Sequence, residues 1–266
     1  MRMTSLRSRV GVPVACAFLL AACADRGTKL GALPPVELAV YLPITAGIPS
    51  APLDTGFGSA QVILVSTDPA RCPTLSSETV AKINARPLDL IDEGELSATK
   101  SGTPQCGTAE YYGDSVPLGG DATITLRDDT ATFRIVAVGA LEPAPGTVTV
   151  VSSAEGIMHL GGVVQIGIPA NGRAVRSALI SFIPDGASAS SFTAATQGAG
   201  NVPVSVSGDV VSFTVPTASV GATIGTGHGT LFATLQFEDQ VTTCDGPAAC
   251  HVFTEMVETV PATLLN

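Results

Sequence analysis

Apolar residues in this chain come in short runs, and none keeps a helical period long enough to build a bundle. The runs at 36–42, 61–66, 122–126, 131–138, 147–151, 163–168, 178–183, 210–215 and 230–237 are mostly bounded by Gly, Pro, Asp or Ser. Thr123-Ile124-Thr125-Leu126 alternates with period two, the pattern of a strand with one buried face. Arg127-Asp128-Asp129-Thr130, ahead of Ala131-Thr132-Phe133-Arg134-Ile135, predicts a hairpin turn. The one helix candidate, 76–83, is read equally well as a hairpin arm turning through Asn84-Ala85-Arg86-Pro87. With 28 Gly, 19 Pro and 14% charged residues, the chain is too apolar for a disordered tail and too rich in turn formers for helices. The expected class is all-β, built as antiparallel sandwiches.

A chain of 266 residues is long for one sandwich. Between Leu141 and Thr147, Glu142-Pro143-Ala144-Pro145-Gly146 places two prolines where a strand needs ladder donors. The boundary is expected there, giving one β-sandwich domain over 36–142 and a second over 146–266. Each has the length of an immunoglobulin-like sandwich. The segment Pro169-Ala170-Asn171-Gly172-Arg173-Ala174-Val175, followed by Ala178-Leu179-Ile180-Ser181-Phe182, resembles the turn and strand of bacterial Ig-like repeats.

Residues 1–10 carry three arginines and no acid, and 11–22 are apolar, ending in Leu20-Ala21-Ala22-Cys23. This run is too short to span a bilayer, which takes about 20 apolar residues. It resembles the bacterial lipoprotein signal peptide, whose lipobox is a Leu, two small residues and a Cys. The resemblance implies that 1–22 is removed, that Cys23 carries lipid, and that 23–35 tethers the body to the membrane. Ala24 after the Cys implies the outer membrane. A transmembrane barrel would need aromatic girdles, and the chain has no Trp, three Tyr and nine Phe. Cys72-Pro73-Thr74-Leu75, the 84–87 turn, Cys106 and Cys244-Asp245-Gly246-Pro247-Ala248-Ala249-Cys250 are together similar to uncharacterised two-domain lipoproteins of myxobacterial type. That resemblance implies architecture and carries no activity.

Removing the leader arginines takes the formal net charge from −10 to −13, which argues against nucleic acid as a partner. Of six cysteines, Cys16 lies in the leader and Cys23 in the lipobox. Four remain, and an exported chain with an even number predicts two disulfides in one of three pairings. The boundary near residue 144 favours Cys72 with Cys106 and Cys244 with Cys250. A metal site would need more ligands than His251 adds to these cysteines.

Several short motifs suggest catalysis, and each lacks a part. Leu53-Asp54-Thr55-Gly56 is similar to the aspartic-protease motif of retropepsins, in which two such carboxylates share a proton. Phe57 stands where those enzymes carry Ala or Ser, and a turn also selects Asp, Thr and Gly. Gly227-His228-Gly229-Thr230 resembles the His block of subtilases, but no Ser follows Ser219 to act as nucleophile. Gly113-Asp114-Ser115 resembles one esterase block without its Asp-x-x-His partner. Gly225, Gly227 and Gly229 precede no helix that could hold phosphate. His159 and the other histidines are scattered, and Asp128-Asp129 and Glu238-Asp239 read as solvated turns rather than a calcium loop.

The sequence therefore predicts a lipid-anchored cell-envelope protein, structural or protein-binding, without cofactor or metal. The alternative is a cell-surface hydrolase working through Asp54.

Overall fold

The computed structural model describes residues 27–44, 57–68, 71–94, 96–98, 104–142, 148–153, 155–168, 173–187, 189–197, 202–217 and 225–266. Cys23 and Asp54 lie outside them. The fold is all-β. In chain order the strands are β1 (Val36–Ile44), β2 (Phe57–Ser66), β3 (Val80–Ile83), β4 (Arg86–Glu93), β5 (Leu96–Ala98), β6 (Pro104–Cys106), β7 (Ala109–Pro117), β8 (Ala122–Arg127), β9 (Thr132–Ala137) and β10 (Thr149–Val150). They continue as β11 (Ile157–His159), β12 (Val163–Gly167), β13 (Ala174–Pro184), β14 (Phe192–Ala195), β15 (Val202–Ser207), β16 (Val210–Thr214), β17 (Gly227–Glu238), β18 (Val241–Asp245) and β19 (Ala249–Leu265).

All but the β5–β6 hairpin join in one mixed sheet of 17 strands. Its long section runs β14-β13-β17-β19-β1-β2-β7-β4, antiparallel except between β19 and β1. The strand β4 then changes partners: Asp89 to Glu93 pair with β7, while Arg86 to Leu88 pair with β3 and start the section β3-β8-β9-β18. At the other end β14 passes to β15, which continues through β16 and β12 to β10.

Two hydrophobic cores result. One gathers Leu38, Val40, Leu42, Val62, Leu64, Tyr111, Ile124, Leu126 and Ile135. The other gathers Val164, Ile166, Ile180, Phe182, Phe213, Leu231, Leu235 and Phe237. The 17-residue strand β19 serves both. Val252 fills the first core, and Met256, Ala262 and Leu264 fill the second. The segment 241–252, in the second half of the chain, thus pairs with β9 and β1 of the first half.

Between the cores the inward positions of β19 turn polar. Thr254 Oγ1 donates to the Ala140 carbonyl at 3.1 Å and also bonds Asp239 Oδ2. Four residues on, Glu258 accepts the Val148 N–H at 2.5 Å. Both flanks of the Pro-rich linker are thereby fixed to one strand, because each backbone group would otherwise be buried without a partner.

Residues 27–35, expected to belong to a tether, lie against the body. Thr28 bridges Leu75, Leu30 is buried, and a side chain at Gly27 would run into the Leu75 backbone. The reason is the β8–β9 turn. Asp128 accepts the Leu30 N–H at 2.6 Å while closing its own turn on the N–H groups of Thr130 and Ala131. Burial pushes the Asp128 carboxyl up, but these bonds and the Thr130 hydroxyl outweigh it and hold its pKa at about 2.

Candidate functional site

Apart from Thr254 and Glu258 the inward residues of the long sheet section are mostly apolar, and its outward residues form an organised row that alternation alone does not require. Strand pairing sets Glu238, Phe253, Tyr41, Gln61, Tyr112 and Asp89 side by side across β17, β19, β1, β2, β7 and β4. At about 4.8 Å between strands the row spans about 24 Å, with a carboxylate at each end. The Tyr41 and Phe253 rings stack at 5.2 Å between centroids, and His251 stacks on Phe253 at 6.1 Å with an interplanar angle of 5°. All three side chains are half-exposed. The three rings form one stacked group on the outward face of the sheet.

Polar bonds fix the rest of the row. Gln61 Nε2 donates to Glu110 Oε1 at 2.6 Å, and the Tyr112 hydroxyl donates to Asp114 Oδ1 at 2.6 Å, which raises the Tyr112 pKa. His251 Nδ1 lies 3.5 Å from Glu238 Oε1. Among the described residues no cation lies within ion-pair distance of Asp89, Glu37, Glu110 or Glu255.

Motifs singled out on sequence fall elsewhere. His228 opens β17, with Nδ1 2.9 Å from Thr263 Oγ1, at an open cleft of about 680 Å³ that also has Glu155 and Asp185 on its walls. The flanking glycines have structural reasons: Gly227 takes φ +122°, which side chains disfavour, and a Cβ on Gly229 would come within 2.8 Å of the Phe182 ring. Gly113 packs under Leu88, where a Cβ would sit 2.5 Å from Cδ2, and Ser115 takes φ 60° at the irregular end of β7. His159 ends β11 on the surface. No group of three or more His, Cys, Asp or Glu among the described residues is arranged to hold a metal ion.

Cysteine pairs 72–106 and 244–250 are disulfides, with Cα separations of 4.8 and 5.8 Å. The second staples the turn that delivers Ala249 and His251 to β19 beside β1, and so supports one end of the aromatic row.

The acidic pair 238–239 is not a solvated turn. Glu238 is half-exposed in the row, whereas Asp239 is buried at 5% exposure beneath it. Strand alternation sends the two carboxylates to opposite faces. Arg173 Nη1 approaches Asp239 Oδ1 at 3.6 Å while its guanidinium lies 4.7 Å over the Phe237 ring. Burial raises the Asp239 pKa, opposed by the Thr254 hydrogen bond and the Arg173 charge. A neutral Asp239 can donate to Thr254 Oγ1 and leave the hydroxyl proton for Ala140. This cluster holds the two cores together.

Sequence reasoning missed the row because each member lies on a different strand, and only the register unites them. No family model matches this chain, and no curated protein shows significant similarity to it.

Proposed function

We propose that this is a lipid-anchored cell-envelope protein whose two Ig-like β-sandwich domains bind a protein partner and catalyse no reaction. The lipobox at Leu20 to Cys23 supports the anchor, with Cys23 acylated and the outer membrane as destination. The observation that carries the binding role is the outward row from Glu238 to Asp89. Three of its rings stack on one another, which leaves less open aromatic face for a sugar than separate rings would. Stacked rings between polar groups suit an irregular protein surface, in which aromatic residues anchor and polar groups set the register. Paired strands of the all-β frame carry every member of the row.

Photo-reactive residues placed at Tyr41 or Ile63, on the row's face, test the reading in intact cells against the same residue at Val80 or Val163, exposed on other sections. A discrete adduct from 41 and 63 alone is expected. Equal adducts at all four positions, or none, contradict it. Casein cleavage at acid pH that Asp54→Asn abolishes would favour the hydrolase instead.

A further inference from the structure

Charge and shape along the row specify the partner further, if the binding reading above holds. We propose that the row docks a basic protein segment, with apolar side chains against Tyr41 and Phe253 and a Lys or Arg at each end, on Glu238 and Asp89. The spacing makes this concrete. The two terminal carboxylates are about 24 Å apart along the sheet, the span of roughly seven residues of extended chain. Neighbouring acids reinforce the sign. Glu37 and Glu255 are exposed or half-exposed outward positions on β1 and β19, and no cation among the described residues pairs with either. The nearby positive groups are His251, already beside Glu238, Arg176 in the irregular stretch of β13, and Lys82, which pairs across from Pro87 two residues from Asp89 but lies outside ion-pair distance of it. A second copy of this face would bring like charges together, and an anionic lipid surface would be repelled in the same way. A cationic strip gains at both ends, and the apolar centre gives it a preferred position.

The probe is a fluorescent nine-residue peptide with Lys at both ends and alternating Leu and Thr between, titrated against the full-length protein purified in detergent. The double variant Asp89→Asn/Glu238→Gln should weaken binding at least tenfold. Tyr41→Thr should also weaken it, and a peptide with Glu at both ends should not bind. An equal charge removal at the His228 cleft, Glu155→Gln/Asp185→Asn, should change the affinity less than twofold. Equal losses from both double variants would mean generic attraction to an acidic protein and would overturn the proposal. So would absence of binding at millimolar peptide, or a dimer in solution that Tyr41→Thr disperses. Crosslinked adducts at positions 41 and 63 that persist unchanged in Asp89→Asn/Glu238→Gln would defeat this proposal while leaving the broader binding reading intact.

Discussion

Thr254→Val should destabilise the protein more than its conservative chemistry suggests. Val keeps the volume and β-propensity of Thr, so neither a cavity nor a backbone preference enters the comparison. What it removes is the hydroxyl of a residue only 2% exposed, which serves both the Ala140 carbonyl and Asp239. A hydrogen bond between uncharged groups contributes about 0.5–1.5 kcal/mol and one to a charged group about 1.5–3, and leaving a buried carbonyl without its donor costs about 1 kcal/mol more. The expected loss is therefore about 1.5–4 kcal/mol, a large part of the 5–15 kcal/mol typical of a native protein. Urea unfolding followed by circular dichroism should show a lower midpoint. Asp239→Asn, which keeps a donor toward Thr254 Oγ1, should cost less, about 1 kcal/mol. The pair also carries a pH signature. Burial raises the folded-state pKa of Asp239 above 3.8, so its favourable contribution is complete below that value and fades as pH rises through the folded pKa. Asp239→Asn should lose that slope and gain on the wild type as pH rises. A Thr254→Val unfolding free energy within about 0.5 kcal/mol of wild type, with unchanged pH dependence, would refute the claim that this cluster joins the cores.

Removing the carboxylate that holds the N-terminal segment, Asp128→Ala, should release residues around Leu30 and speed tryptic cleavage after Lys29; an unchanged rate would show that the segment is held by other contacts. Because Asp128 titrates at about 2 when folded, its contribution should be complete above pH 3.8 and be lost only as pH falls toward 2. Cys72→Ser/Cys106→Ser should cost about 4 kcal/mol and Cys244→Ser/Cys250→Ser about 2, following loop length in the chain-entropy model; equal costs in denaturant titrations would count against that ordering.

Strands whose two faces differ strongly were legible. The runs at 122–126, 163–168 and 210–215 match β8, β12 and β16 to within a residue or two. The ambiguous 76–83 stretch ends in β3, because Asn84 and Ala85 take φ 44° and 68° and close a tight hairpin. Strand β19 escaped detection for a physical reason. Its inward positions include Thr254 and Glu258, which are paid for by bonds to Ala140 and Val148 that no local pattern encodes. Its parallel pairing with β1 joins residues about 210 apart, a contact set by global packing rather than by neighbouring residues. Asp239 was misread for the same reason, since its partners Arg173 and Thr254 are distant in sequence. Disulfide pairing was legible because the cysteines are few and each pair is local.

The most direct test of the account as a whole is the mass of the N-terminal peptide of the protein isolated from its native membrane. Trypsin should release Cys23-Ala24-Asp25-Arg26 with a diacylglyceryl group on the Cys23 sulfur, and Cys23→Ser should abolish that species and leave the leader attached. A mature N-terminus at any other residue, or Cys23 recovered as a free thiol, would contradict the anchor and with it the placement of the body at the envelope.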